Sequence, residues 1–144
     1  MTMNSEILME QIYSIEPENF ALAGEASSSI KKLLKQLGVD SNIVRRAAIA
    51  SYEAELNQVI HSLGGTITLR VDSKEIRIIA QDVGPGIEDI DLAMQEGYST
   101  ASAKARELGF GAGMGLPNIK KCADRLLIDS KVGQGTRIEI VFEL

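Results

Sequence analysis

Apolar and polar positions alternate loosely through residues 7–15, which predicts a first strand. The period then lengthens. Phe20, Leu22, Ala23, Ala26, Ile30, Leu33, Leu34 and Leu37 recur at helical spacing, so a helix is predicted from Pro17, a residue tolerated in a first turn, to Gly38, a natural stop. The run Ser27-Ser28-Ser29 is a weak spot in it by propensity. Asp40 or Ser41 can cap a second helix, whose apolar positions Ile43, Val44, Ala47, Ala48, Ile49, Ala50, Ala54, Leu56, Val59 and Ile60 lead to Gly64-Gly65. That helix is apolar over most of its surface and so belongs in the interior. Against this background Glu53, Asn57 and His61, spaced by four, stack into a polar stripe.

Residues 66–71 alternate in the manner of a half-buried strand and residues 75–81 follow as the partner across the Asp72-Ser73 turn, which predicts a hairpin ending at Asp82. Residues 118–125 read as a third helix with Ile119, Cys122 and Ala123 inward. Residues 126–132 and 136–143 read as a second hairpin across Gly133-Gln134-Gly135. The order strand, two helices, two strands, loop, helix, two strands implies an α+β fold with a layer of helices on one face of a sheet.

Composition narrows the function. With 144 residues the chain fits one domain, residues 1–144, and its 44% hydrophobic and 24% charged residues are those of an ordinary globular protein. A net charge of −5 argues against a protein that covers nucleic-acid phosphates and favours a protein partner or small ligand. The single cysteine, Cys122, cannot form an internal disulfide and reads as a small core residue. No secretory leader is evident, and no apolar run approaches the ~20 residues of a membrane span, so a cytoplasmic protein is expected.

Candidate chemistry lies between the two hairpins. Asp82-Val83-Gly84-Pro85-Gly86-Ile87 is one glycine cluster and Gly109-Phe110-Gly111-Ala112-Gly113-Met114-Gly115-Leu116 another, the second opening the predicted helix. An isolated Asp-x-Gly-Pro-Gly is most often only a turn. The second cluster lacks the Gly-Lys-Ser/Thr of a Walker loop and does not follow a first strand as a dinucleotide fingerprint does. A flexible linker or an anion site at a helix start are the alternatives, and the regular Gly-x-Gly-x-Gly spacing argues for the anion site.

Taken together, Glu53-x-x-x-Asn57, Asp82-x-Gly84-x-Gly86, Gly111-x-Gly113-x-Gly115-Leu116 and Gly133-x-Gly135-Thr136 resemble, in order and spacing, the motifs of the GHKL ATPases. Within that superfamily a free-standing domain of this length is similar to the anti-sigma-factor and serine/threonine-kinase branch (RsbW, SpoIIAB and RsbT-like). Asp82 to Ile90, Gly97-Tyr98-Ser99-Thr100 and the second glycine cluster look closest to the RsbT-like switch kinases. The resemblance implies a Bergerat fold, a two-layer α/β sandwich with a mixed sheet and helices on one face. It also implies ATP and Mg²⁺ as cofactors.

The resemblance further implies roles. Asp82 would accept a hydrogen bond from the adenine amino group, with Gly84 and Gly86 letting the backbone pass the base. Asn57 would bind Mg²⁺, and Gly111, Gly113 and Gly115 would offer amides to the phosphates. Ile87, Met114, Leu116 and Thr136 complete the implied nucleotide pocket. Glu53 would be the general base for an incoming serine or threonine hydroxyl, with Glu55 pointing elsewhere as a natural control. His61 and the lid residues Lys104 and Arg106 stay outside the catalytic set. The implied partner is a STAS-domain antagonist protein or a sigma factor, with a homodimer possible and no direct contact with nucleic acid or membrane. A lid, residues 101–108, longer than the RsbT-like pattern is a departure from the family. A detached histidine-kinase catalytic domain is a further alternative, weakened by the absence of a phosphoacceptor segment.

Overall fold

Strand β1 (Met9–Ile15) leads through a short 3₁₀ turn, Phe20–Leu22, into helix α1 (Glu25–Gln36), followed by the long helix α2 (Ser41–His61). Strands β2 (Gly65–Val71) and β3 (Glu75–Asp82) form the first hairpin, a single helical turn α3 (Ile90–Ala93) follows, and helix α4 (Gly115–Cys122) precedes β4 (Arg125–Lys131) and β5 (Gly135–Glu143). These coordinates, a computed structural model, describe residues 7–87, 89–95 and 115–144. Gly111, Gly113, Met114, Lys104, Arg106 and the Gly97–Thr100 motif lie outside the described residues.

The five strands form one sheet in the order β1-β2-β3-β5-β4. Every neighbouring pair is antiparallel, where a mixed sheet was expected. The reason is connectivity: β2–β3 and β4–β5 are hairpins, which can only be antiparallel, and the register Ile78↔Ile140 joins them in the same sense. The remaining expectation holds, since Ile67, Leu69, Ile76, Ile78, Ile138, Ile140 and Phe142 all turn to one face and are buried with Ile30, Leu34, Ala47, Ala54, Val59 and Ile119 from the helices. The other face carries an ion-pair ladder. Arg77 bridges Glu75 and Glu139 at 2.9 Å each, and Arg125 reaches Glu75 at 3.2 Å. On this face Val141 and Ile79 are also buried.

Helix α2 is packed between α1 and α4 over the sheet, which accounts for its apolar circumference. Its N-cap is Asp40, whose side chain accepts from the Asn42 N–H at 3.0 Å. Arg46 fastens α4 to it, donating from Nη1 to the Cys122 carbonyl at 2.8 Å and stacking over the Phe142 ring.

Two helix boundaries differ from the sequence pattern. Helix α1 does not begin at Pro17; the chain makes the 3₁₀ turn, reverses at Gly24 with φ +101°, and only then becomes helical. The apolar stripe runs on across the break because both pieces face the same core, so periodicity cannot reveal it. The three serines thereby become the third to fifth residues of the helix, and Ser27 Oγ donates to the Gly24 carbonyl at 3.0 Å. Helix α4 starts at Gly115 and ends at Cys122, earlier at both ends than expected. Pro117 sits in its first turn, where a missing N–H leaves no helical bond unmade.

Candidate functional site

Helix α2 and the start of α4 bring the polar stripe and the last glycine together. A Cβ built on Gly115 would stand 3.0 Å from Asn57 Oδ1 and 3.5 Å from Glu53 Oε2. A side chain here would fill the space in front of both groups. Glu53 Oε1 accepts from Asn118 Nδ2 at 3.3 Å, while the Asn57 amide and Glu53 Oε2 have no hydrogen-bond partner among the described residues. Both side chains are half-buried. A half-buried amide oxygen and a carboxylate oxygen that share a space which no described side chain fills, at a helix N-terminus, fit a hydrated hard cation and an anion. The donor set therefore fits the implied magnesium and phosphates. Among the described residues no group of three or more His, Cys, Asp and Glu side chains could hold a metal by itself.

The other end of the site is built by the two hairpins. Asp82 closes β3, and its Oδ1 accepts the Thr136 N–H at 3.0 Å across to β5. Oδ2 has no partner among the described residues. Thr136 Oγ1 lies 2.8 Å from Ser130 Oγ, which accepts the Ile87 N–H at 2.7 Å. The chain Asp82–Thr136–Ser130–Ile87 thus pins the first glycine turn onto the β4–β5 hairpin. Thr136 is buried, Ile87 packs partly buried against the core, and Leu116 is in the core itself.

Gly84 and Gly86 need no ligand to explain them. A Cβ on Gly84 would stand 3.2 Å from Ser62 Cα and 3.6 Å from the His61 carbonyl, and one on Gly86, at φ +75°, would stand 2.5 Å from the Lys131 carbonyl oxygen. Both glycines let the turn press against the protein's own backbone. Gly84 also seats the turn on the C-terminal end of α2, one helical turn beyond Asn57, so both halves of the site meet at the same end of that helix.

Burial raises the Asp82 carboxyl above its ordinary range, opposed by the Thr136 N–H. A folded value above the unfolded one favours the protonated form on folding. That contribution is complete below about 3.8, the ordinary value, and is lost as pH rises through the raised one. Asp82→Asn keeps an acceptor for Thr136 and removes the buried charge. Its melting temperature at pH 7 is expected to equal or exceed the parent's, and scanning calorimetry showing a fall beyond about 5 °C would contradict this. His61, at the end of the polar stripe, has its pKa lowered by burial and is neutral at pH 7.

Glu55 does point away from Glu53, but it is not an inert neighbour. It is 2% exposed, and its carboxylate accepts the backbone N–H groups of Gly24 at 3.0 Å, Ala26 at 3.2 Å and Ser27 at 3.0 Å. It serves as the N-terminal cap of α1, supplied from α2. A cavity of about 460 Å³ is on this side, lined among others by Tyr13, Leu22, Ser29 and Glu55 and by none of the site residues. Tyr13, Ser29 and Glu55 in its lining are already paired: Tyr13 Oη lies 2.7 Å from Ser29 Oγ, and Glu55 is bonded as above.

Sequence reasoning missed Ser130 and Asn118. Ser130 lies opposite Thr136 in the β4–β5 register, a hydroxyl pair visible once the hairpin is aligned. Asn118 follows Gly115 by three positions, which places both on one face of α4.

Comparison with known proteins gives the family. Residues 39–144 match the family described as histidine kinase-, DNA gyrase B-, and HSP90-like ATPase. The chain is 32% identical over 117 residues to the serine/threonine-protein kinase RsbT of Bacillus subtilis, covering 77% of this chain and 80% of that protein. It is 27% identical over 140 residues to an anti-sigma F factor of Clostridium kluyveri, covering 94% and 92%. In shape it resembles a chain in the crystal structure of the SiaB-SiaC complex from Pseudomonas aeruginosa, with a TM-score of 0.57, 16% identity, and coverage of 94% and 89%. On the family match over most of its length, on the relatives and on the five-stranded two-layer fold, the chain belongs to the GHKL ATPases, in the branch that holds anti-sigma factors and serine/threonine kinases.

Proposed function

We propose that the protein is an ATP- and Mg²⁺-dependent serine/threonine kinase of a bacterial partner-switching system, acting in the cytoplasm on a STAS-type antagonist protein. The observation that carries this is the Glu53 carboxylate beside the Asn57 amide, with one oxygen held by Asn118 and the other facing the space in front of Gly115. A binding module has no need of a carboxylate there, whereas transfer to a hydroxyl needs a proton acceptor within reach.

In this reading Asp82 Oδ2, which has no partner among the described residues, receives the adenine amino hydrogen while Thr136 holds Oδ1 in place. Ile87 and Leu116 give apolar contact, and Asn57 Oδ1 serves as the protein ligand to magnesium. The N–H groups at the start of α4, together with those of Gly111, Gly113 and Met114, take the phosphates. When bound, Mg-ATP supplies the transferable phosphoryl group with part of its charge neutralised. Glu53 Oε2 accepts the proton of the incoming hydroxyl, which orients its oxygen for in-line attack.

Glu53→Gln is expected to lower transfer from γ-labelled ATP to a cognate STAS protein by about 10²–10⁴-fold while nucleotide binding persists. Equal rates from the parent and Glu53→Gln would overturn the kinase reading. A second reading, a nucleotide-gated module that holds a sigma factor or another regulator, is favoured by the anti-sigma F factor relatives that span nearly the whole chain. Native mass spectrometry of complexes from source cells separates the two: stable, ATP-dependent capture of a sigma factor supports the second.

A further inference from the structure

Asn118 is the polar side chain at the site for which the assignments above name no chemical role. It is half-buried on the face of α4 shared with Gly115, and its Nδ2 donates to Glu53 Oε1 at 3.3 Å. The other oxygen, Oε2, faces the space in front of Gly115. The contact has a direction: only the amide nitrogen can donate and only the carboxylate can accept. Holding one oxygen fixes the aim of the other, which has no partner among the described residues.

We propose that Asn118 is a positioning residue for Glu53, holding the carboxylate at the angle at which Oε2 meets the acceptor hydroxyl and tying the base on α2 to the start of α4. This rests on the assignment of Glu53 as the base. A bond of 3.3 Å is long for N–H···O, as catalytic contacts often are before substrate binds, and it shortens as the complex forms. Helix α4 has other anchors: Leu116, Pro117 and Ile119 are buried, and Arg46 donates to the Cys122 carbonyl at 2.8 Å. Losing the Asn118 amide therefore frees the carboxylate without undocking the helix. Misplacing a reacting group by about 1 Å costs on the order of 10²-fold in rate, which sets the upper bound of the effect.

The test compares the parent chain with Asn118→Ala, Asn118→Asp, Asn118→Gln and Glu53→Gln. Each is assayed for transfer from ATP to purified STAS-domain proteins of the source organism taken singly, and for ATP hydrolysis with water as acceptor. Asn118→Ala is expected to lower kcat about 10–100-fold with KM for ATP within about twofold. Asn118→Asp falls further, because its carboxylate repels Glu53, and Asn118→Gln recovers most of the rate. A merely structural contact would instead lower the melting temperature and move kcat and KM together. Parent-like kcat in Asn118→Ala, or a faster Asn118→Asp than Asn118→Ala, overturns the proposal. If Glu53→Gln itself turns over like the parent, the base assignment falls and this proposal with it. If Glu53→Gln is dead and Asn118→Ala is unchanged, only the role of Asn118 falls.

Discussion

Glu55→Ala is expected to lower the unfolding free energy by about 3–5 kcal/mol, and the melting temperature by about 10–15 °C. The substitution removes a carboxylate that is 2% exposed and leaves the N–H groups of Gly24, Ala26 and Ser27 without their acceptor. Hydrogen bonds to a charged group contribute about 1.5–3 kcal/mol each before the strain of a partly collapsed cavity is added, and they are not additive. The partial positive charge at the N-terminus of α1 also loses its compensating anion. Glu55→Gln, which keeps one acceptor oxygen and turns an N–H₂ group towards an N–H, is expected to recover about half of the loss. Urea unfolding of the three chains gives the comparison; an alanine variant within about 1 kcal/mol of the parent would show that α1 has another cap. One consequence for enzymology follows. Loss of transfer in a Glu55 variant reports unfolding rather than catalysis, so Glu55 cannot serve as the neutral control for Glu53.

Gly135→Ala is expected to cost about 4 kcal/mol or more and to weaken nucleotide binding along with the fold. Gly135 has φ +140°, a conformation L side chains rarely adopt, and its added Cβ would overlap the Asp82 carbonyl oxygen and stand 3.3 Å from Val83 Cα. Neither obstacle is a side chain that can rotate away. Relief requires the start of β5 to separate from the end of β3, and that is where Thr136 donates to Asp82 at 3.0 Å. Gly133→Ala is the matched comparison. It has φ +80° but nothing within 4 Å, so it carries backbone strain alone, about 1–2 kcal/mol. Denaturant unfolding that places the two variants within about 1 kcal/mol of each other would show that the β3–β5 contact yields easily.

Alternation in β2 and in most of β5 was legible because these strands bury mainly one face, and the hairpins because Asp72 and Gly133 carry turn chemistry at the right spacing; β3 alternates less, since Ile79 is buried on its other face as well. Asp72 Oδ1 accepts the N–H groups of Lys74 at 2.7 Å and Glu75 at 2.9 Å, an interaction local enough to be read from order alone. The same holds for Asp40 capping α2. Glu53 and Asn57 stood out because polar residues at a spacing of four on an otherwise apolar helix have no structural reason to be there.

The start of α1 was not legible, since its cap is Glu55, thirty-one residues from Gly24 in the chain and brought to it only when α2 packs. Nor were the neighbours of Gly84, Gly86 and Gly135: in each case a missing side chain is needed because another piece of backbone lies against it. Ser130 and Asn118 gained their meaning from partners on other elements, Thr136 across a hairpin and Glu53 across two helices. By itself the sequence determined the elements, their order and the polar groups too costly to bury without purpose, because periodicity, caps and turns act over a few residues. Only the tertiary structure decided where α1 begins, which glycines are there for packing, and which atom of Glu53 Asn118 holds. Those depend on the close approach of segments distant in the chain, and no local pattern records it.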